Sequence, residues 1–297
     1  MPQESEKHKI AKILLLIDYS SEFSRRLLRG LVEYSKEHGP WIFYRLPSYY
    51  KAIHGKEGVV KWAKEWKADG ILAHWDNEES QVLNNLGIPV VLQNIKERSQ
   101  LFSNLTGNYV GTGAMAARFF FQKRFRNFAF YGNRRVIWSR ERAEGFRREV
   151  EKVGGNYFYF ETENFDEEQF HQDMVVLEQW LISLPKPVAL FACDDAFALQ
   201  ISEICKINSI NIPQDIALLG VDNDELICNL SDPPISSIVL DVEKGGYEVG
   251  KLMYQLMTKE RKKPFNIVIN PIRVEQRLST ERYNISNKYI LEVVKYI

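Results

Sequence analysis

The chain has 297 residues, of which 45% are hydrophobic and 26% charged, and its 39 basic residues equal its 39 acidic residues. This composition is typical of a globular protein and excludes a disordered chain, a collagen-like chain and a small disulfide scaffold. The formal net charge is zero. A domain that grips nucleic acid by itself usually carries a basic excess, so the composition disfavours that function for this chain.

The cysteines and the first residues indicate where the protein works. Cys193, Cys205 and Cys228 are odd in number and none forms a C-x-x-C pair, which favours buried thiols in a reducing compartment. The apolar run 10–17 is too short to span a bilayer and lacks the small-residue cleavage site of a signal peptide. We therefore expect a cytoplasmic protein without a membrane segment.

A short apolar run followed by an amphipathic segment recurs along the chain. The first half predicts strand 13–17, helix 23–34, strand 41–46, helix 59–66, strand 70–74, short helix 79–86 and strand 88–92. The second half predicts helix 109–123, strand 127–131, helix 141–153, strand 157–160, helix 166–181, strand 188–192, helix 196–207, strand 216–221, a strand near 238, helix 244–257 and strand 265–269. This alternation predicts an α/β fold of parallel sheets with helices on both faces.

The number of strands predicts two lobes. About a dozen strands are too many for one comfortable open sheet, so we expect two doubly wound lobes. The polar segment 95–107 has no clear periodicity and marks the expected junction. At the other end, apolar residues at 290, 293, 294 and 297 have helical spacing. That pattern fits equally a terminal helix packed on the body and the first helix of a further module.

Polar residues follow the predicted strands, at the edge where open parallel sheets bind their ligands. They are Asp18, Tyr19 and Ser20; Trp75, Asp76 and Asn77; Gln93 and Asn94; Gly132, Trp138, Arg140 and Arg142; Asp194 and Asp195; and Asp222, Asn223 and Asp224. Carboxylates, amides and arginine hydrogen-bond to vicinal hydroxyls, and tryptophan covers the C–H face of a sugar ring. The set therefore predicts a site for a neutral polyhydroxylated ligand, although each residue alone could simply form a turn or cap a helix.

Catalytic and metal sites have little support. The five histidines lack zinc-binding spacing, and there is no nucleophile elbow or Walker sequence. The loop 222–227 resembles the start of a calcium loop, but Ile227 stands where that loop needs glycine. Asp194, Asp195 and Asp222 could form a glycosidase acid/base pair, although such carboxylates are usually solvated or capping. We predict no enzymatic activity, no metal and no cofactor.

The segment 111–116 fits the pattern G-x-G-x-x-A of dinucleotide-binding folds. That interpretation needs a strand just before the glycines and an acidic residue about 20 positions later. The preceding residues are polar and the later region offers no acid. We therefore interpret Gly111 and Gly113 as residues that allow helices to pack closely.

Four stretches resemble the effector-binding core of the lac-repressor and galactose-repressor family. They are FAFYG at 128–132, RERAEGF at 140–146, which resembles the family's R-x-x-G-F element, FACDDAFA at 191–198, and IPQDIALLGVDN at 212–223 followed by PPISSI at 233–238. The last stretch is long and ordered, and the resemblance covers about residues 10–280. It implies a fold like a type I periplasmic binding protein, with two doubly wound parallel-sheet lobes around a cleft.

The resemblance also implies site residues. The family's sugar-binding arginine, the asparagine of its F-A-x-N-D element and the aspartate after its glycine fall on Arg142, Asp194 and Asp222. Asp194 stands where the family usually has asparagine, which puts the identity of the sugar in doubt, since a carboxylate cannot donate as an amide does. The remaining members of the predicted set are Trp138, Asp76, Asp18, Tyr19 and Asn94.

The ends of the chain resemble a subgroup, the xylose-operon regulators, which carry an AraC-type DNA-binding module after the sensor. Segment 271–280 is similar to that junction and 290–297 to the first helix of that module. The resemblance implies an N-terminal lobe of 1–105 plus 240–262, a C-terminal lobe of 106–239 plus 263–282, and the start of a truncated DNA-binding module at 283–297.

The implied function is the effector-sensing domain of a transcriptional regulator of carbohydrate metabolism. A small sugar, xylose or a similar pentose, would bind between the lobes, and closure would reposition DNA-binding modules in a homodimer. Helices over 25–34 and 244–257 are the candidate dimer face. The alternatives are a transport-linked sugar-binding protein and a sugar-converting enzyme.

Overall fold

The computed structural model describes residues 10–163 and 167–282. The strands are β1 (Ala11–Leu16), β2 (Trp41–Arg45), β3 (Gly70–Ala73), β4 (Val90–Gln93), β5 (Ser103–Gly107), β6 (Asn127–Asn133), β7 (Asn156–Thr162), β8 (Val188–Ala192), β9 (Ile216–Val221), β10 (Ser236–Leu240), β11 (Asn266–Ile269) and β12 (Pro271–Glu275). The helices are α1 (Glu22–His38), α2 (Ser48–Trp66), α3 (Asn77–Ser80), α4 (Tyr109–Gln122), α5 (Ile137–Lys152), α6 (Glu167–Ser183), α7 (Asp195–Ile207), α8 (Glu225–Leu230) and α9 (Val242–Met257).

The first sheet has the strand order β11-β5-β4-β3-β1-β2. Each neighbouring pair in it is parallel. In this sheet β2 lies on one side of β1, and the next strand along the chain, β3, lies on the other side. This reversal makes the carboxyl ends of β1 and β3 a topological switch point, the position at which open α/β sheets bind ligands.

The second sheet has the order β12-β10-β9-β8-β6-β7 and repeats the same winding. The pairs β6–β7, β6–β8, β8–β9 and β9–β10 are parallel. Its reversal lies between β6 and β8. Strands β8 and β9 are buried along their whole length, as expected for strands that helices cover on both faces.

The described chain divides into two compact units. The first contains the residues up to Tyr109, Arg135–Trp138 and Leu240–Pro271, and the second contains Val110–Arg134, Ser139–Val239 and the residues from Ile272 onward. Each unit has its own apolar core around its sheet. The expected fold, two doubly wound parallel sheets with helices, is confirmed. Among the described helices, none is long and apolar enough to cross a bilayer.

The structure corrects three expectations. The segment 95–107, expected as a junction without regular structure, contains β5, which pairs with β4. Residues 271–275 form β12, a strand that the sequence pattern did not predict. Strand β11 pairs with β5 in the first sheet, whereas the sequence assigned 263–282 to the C-terminal lobe. The predicted module start at 283–297 lies outside the described residues.

Helices α1 and α9 pack unusually closely within the first unit. A Cβ atom on Gly246 would overlap the backbone carbonyl of Leu27, and one on Gly30 would overlap the carbonyl of Glu243. These overlaps involve backbone atoms, which cannot move aside as the end of a side chain can. The two glycines therefore set the distance between the helices.

The substitution Gly246→Ala is expected to lower the free energy of unfolding by about 2 kcal/mol, because overpacking forces the two helices apart. Urea denaturation followed by circular dichroism measures the change. Lys251→Ala, an exposed position on the same helix, is the matched control and should leave the midpoint nearly unchanged. Equal midpoints for both variants would contradict the close-packing argument.

Candidate functional site

Arg142 lies at the carboxyl edge of the second sheet. It projects from α5 and is 3% exposed. Its guanidinium donates a hydrogen bond to the backbone carbonyl of Cys193, directly after β8. A second guanidinium nitrogen, Nη2, lies 3.5 Å from Oδ1 of Asp222, directly after β9. The arginine therefore links the ends of two neighbouring strands, and these two contacts orient its guanidinium group.

Asp194 occupies the same edge and caps α7. Its Oδ1 accepts a hydrogen bond of 2.9 Å from the backbone amide of Phe197. Burial raises the pKa of Asp194 to about 6; the charge of Asp222 adds to the rise and Arg142 opposes it. A carboxyl with this pKa changes protonation near neutral pH, so it can accept or donate a hydrogen bond.

The backbone at Asp222 has a left-handed conformation, with φ at 101°. A non-glycine residue adopts this conformation only where its surroundings enforce it, and such positions cluster at functional sites. Here the next residues are held firmly. The amide of Asn223 donates to Ser237 Oγ over 2.9 Å, and Arg277 donates to Asn223 Oδ1 over 2.8 Å. The loop thus fixes where the Asp222 carboxylate points.

Asp195 has a different role from its neighbour Asp194. It is 3% exposed and accepts hydrogen bonds from Ser237 Oγ, at 2.6 Å, and from the amide of Asp224, at 2.8 Å. Both carboxylate oxygens therefore brace the loop after β9. The resemblance singled out Asp194 and not Asp195 as a sugar-binding residue, but the contacts of Asp195 with this loop could not be predicted from the sequence.

Gly113 supports the position of Arg142. A Cβ atom on Gly113 would overlap the backbone carbonyl of Arg142 and the amide of Phe146. Helices α4 and α5 therefore approach each other at the turn that carries the arginine. The close-packing role expected for this glycine is confirmed.

Asp18 and Tyr19 lie at the carboxyl edge of the first sheet, after β1. The Asp18 carboxylate accepts hydrogen bonds from Ser20 Oγ at 2.6 Å and from the Ser20 amide at 3.0 Å, and these bonds lower its pKa. The Tyr19 ring lies 4.8 Å from the guanidinium of Arg45. Burial raises the pKa of Tyr19 to about 12, so its hydroxyl stays protonated.

His74 is a site residue that the sequence did not single out. It follows β3, and burial lowers its pKa to about 4, so the imidazole is neutral at pH 7. Its Nε2 atom is buried and has no hydrogen-bond partner in the described part of the chain. The predicted residue Trp138 belongs to the same unit, with its ring 6.2 Å from that of His74. A single histidine after an apolar strand offers no sequence signal unless its partners are known.

Asp76 and Asn94 make hydrogen bonds of their own in the first unit. Asp76 caps α3 by accepting from the amide of Glu79 at 2.8 Å, and it pairs with Lys96 at 3.0 Å. Asn94 is 1% exposed and donates to Asn104 Oδ1 at 2.7 Å. These bonds stabilise the loops after β3 and β4, and a role for either residue in ligand binding stays a prediction.

The two edges thus offer carboxylates, guanidinium groups, a neutral imidazole and aromatic rings. Within the described residues, no group of three or more histidine, cysteine or acidic side chains could hold a metal ion. Burial raises the pKa of Cys193 well above its usual value, so the thiol is not activated as a nucleophile. The chemistry of the edges suits hydrogen bonding to hydroxyl groups.

The chain is similar to known proteins in sequence and in fold. The family model described as a periplasmic binding protein-like domain matches residues 117–280. The xylose operon regulatory protein of Escherichia coli K12 is 25% identical, over 96% of this chain and 74% of its own length. The solved structure of a xylose-binding transcription activator aligns with a TM-score of 0.81 at 23% identity, covering 97% of this chain and 74% of the other.

A second solved structure, a complex of the transcriptional regulator CelR with cellobiose, aligns with a TM-score of 0.74 at 19% identity and covers 91% of this chain and 84% of that one. The names of these three proteins describe an operon regulatory protein, a transcription activator and a transcriptional regulator. The family model covers more than half of the 297 residues. The chain therefore belongs to the periplasmic binding protein-like domain family.

Proposed function

We propose that this chain is the effector-sensing part of a sugar-responsive transcriptional regulator. The observation that carries the proposal is the cluster at the second carboxyl edge, where Arg142 lies against Asp222 and the peptide before Asp194. A planar fork of donors beside two carboxyl groups can hydrogen-bond to vicinal hydroxyls. Two similar proteins, a xylose operon regulatory protein and a transcriptional regulator in complex with cellobiose, support the same class of ligand.

The charges of the cluster favour a neutral sugar. Arg142 is one positive charge beside two carboxyl groups, so a phosphate or uronate would add negative charge where a negative excess already exists. Xylose is the first candidate, because the similar regulator of Escherichia coli is named for its operon. Cellobiose is bound by another protein of the same fold, so the side chains at the edges and not the fold select the sugar.

The remaining elements of the proposal concern the regulator as a whole. Sugar-binding residues lie at both carboxyl edges, and those of the first unit include Asp18, Tyr19 and Trp138. Because the sugar binds one of two conformations more tightly than the other, its binding shifts the protein toward that conformation. The regulator works in the cytoplasm as a homodimer that contacts DNA through a further module. The dimer face is the one formed by α1 and α9.

Calorimetric titration of the chain with D-xylose, L-arabinose, D-ribose, D-glucose and D-galactose tests the proposal. We expect saturable binding of at least one sugar and recovery of that sugar unaltered. Asp222→Ala is expected to weaken this binding roughly 30-fold, because it removes a charged hydrogen-bond acceptor. Asp232→Ala is the matched control, since Asp232 is an exposed aspartate of the same unit, 83% exposed at its side chain.

Three results would count against the proposal. Failure of all five sugars to bind would remove a neutral monosaccharide as the effector. Equal loss of affinity in Asp222→Ala and Asp232→Ala would show that the cluster does not contact the sugar. Conversion of the sugar during the titration would identify an enzyme instead of a sensor.

A further inference from the structure

The first unit contains a cavity at the carboxyl ends of three adjacent strands. It measures about 150 Å³ and is lined by the last residue of β1, by residues that follow β1, β2 and β3, and by two residues of α2. A cavity of about this volume in another protein is large enough to hold a benzene ring. The cavity lies at the switch point of the first sheet, where open α/β sheets place their ligands.

The walls of the cavity differ in polarity. Leu16, Leu46 and Val59 form an apolar part and are all buried. Asp18 and His74 add polar groups. A sugar presents the same division, with C–H groups on one side and hydroxyls on the other, so the lining matches part of a sugar better than it matches a purely apolar molecule.

His74 provides a hydrogen-bonding atom that the protein itself leaves unused. Its Nε2 is buried without a hydrogen-bond partner among residues 10–163 and 167–282. Buried polar atoms are nearly always satisfied, and an exception calls for a ligand, an ion or a water. The neutral imidazole carries one donor and one acceptor nitrogen, so it can bind a hydroxyl in either direction.

The charges around the cavity exclude an anion and leave a neutral group. The Asp18 carboxylate is ionised, since its bonds to Ser20 lower its pKa. Lys51 lines the same cavity, but its ammonium pairs with Glu79 at 2.8 Å and lies 5.0 Å from the centre of the Trp75 ring. The lysine is therefore already neutralised, and the cavity has no spare positive charge for a phosphate or a carboxylate.

We propose that this cavity is a specificity subsite that receives a hydroxyl-bearing carbon of a neutral sugar, with His74 as the specificity-determining residue that hydrogen-bonds to the hydroxyl. The inference rests on the proposed function, because it assigns part of the same ligand. It extends that function by naming the group that distinguishes one sugar from another. A sugar that lacks the hydroxyl, or carries it on the opposite face, leaves Nε2 unsatisfied and binds less well.

Titration of the whole chain with the five sugars, in wild type and two variants, tests the subsite. His74→Leu fills a similar space without a polar atom and is expected to weaken binding of the preferred sugar about tenfold. The preference that wild type shows among the sugars should be lost in His74→Leu. His74→Gln keeps a polar group near the position of Nε2 and is expected to restore most of the affinity. His38→Leu is the matched control, because His38 stacks on Tyr34 at 4.1 Å in the same unit.

The outcomes separate this inference from the proposed function. If wild type binds none of the sugars, the proposed function fails and the subsite fails with it. If wild type binds a sugar and His74→Leu binds it within twofold with the same ranking, only the subsite is overturned. Thermal melting identifies a variant that has not folded. In that case His74→Ala, which also removes the polar atom, decides, since the subsite requires its ranking of the sugars to change and an unchanged ranking overturns it.

Discussion

Arg142→Ala is expected to weaken sugar binding roughly 100-fold, the largest effect of any single change at the site, because the arginine supplies the only charged donor of the proposed cluster. The substitution also removes the donor to the Cys193 carbonyl and the cation beside Asp222. The Asp222 side chain is 26% exposed, but its Oδ1 atom, which faces Arg142, is buried. We therefore expect a loss of stability of about 3 kcal/mol, at the lower end of the range for breaking a buried ion pair. Calorimetric titration and urea denaturation measure the two effects.

Two further variants test the reason for this effect. Arg142→Lys keeps the charge but not the planar fork, so it should bind the sugar only slightly better than the alanine variant. Arg148→Ala removes an exposed arginine from the same helix, 59% exposed and paired with Glu144, and should bind normally. Normal binding by Arg142→Ala would mean that the arginine only holds the strand ends together.

The alternation of strands and helices could be predicted because apolar periodicity reports burial on two faces. Strand β5 was missed since three of its five residues, Ser103, Asn104 and Thr106, are polar and yet buried. Asn104 explains how this is tolerated. Its amide group bonds to Asn94, Asn266 and the backbone of Ser99. A strand whose burial is stabilised by such an amide network has the same composition as a loop.

The assignment of β11 failed for a different reason. Its apolar residues at 267 and 269 were detected as a strand, and its burial pattern alternates as expected for an edge position. The pattern cannot say which sheet the strand joins. Its partner β5 is separated from it by about 160 residues, and the Asn104–Asn266 bond of 2.7 Å that helps to hold the pair is a tertiary contact.

The candidate site, too, could be predicted only in part from the sequence. Arg142, Asp194 and Asp222 were predicted because each lies in a stretch that resembles the family's motifs, and the structure brings these three together. His74 was not singled out, and the contacts of Asp195 with the loop after β9 were not predicted. Their roles depend on an unpartnered atom in one case and on two loop contacts in the other. Both are properties of the packed structure.

Asp194→Asn is expected to raise the free energy of unfolding at pH 7 by roughly 2–3 kcal/mol. The folded pKa of Asp194 is about 6, above the ordinary value of 3.8. The folded state therefore holds the proton more tightly than the unfolded state. The contribution of Asp194 to stability falls as the pH rises from about 4 to about 6 and stays at its lower level above that range. Asparagine caps a helix as well as aspartate does, so the bond to Phe197 is kept.

The difference between wild type and Asp194→Asn carries the test, because every other titrating group is common to both proteins. Urea denaturation at pH 4, 5, 6 and 7 should show that the free energies of unfolding of the two proteins are most similar at pH 4 and differ more as the pH rises. Asp232→Asn, a change at an exposed aspartate, should follow wild type throughout. A constant difference between wild type and Asp194→Asn at every pH would contradict the raised pKa. It would also mean that the carboxyl is ionised throughout this range and can only accept hydrogen bonds from a sugar.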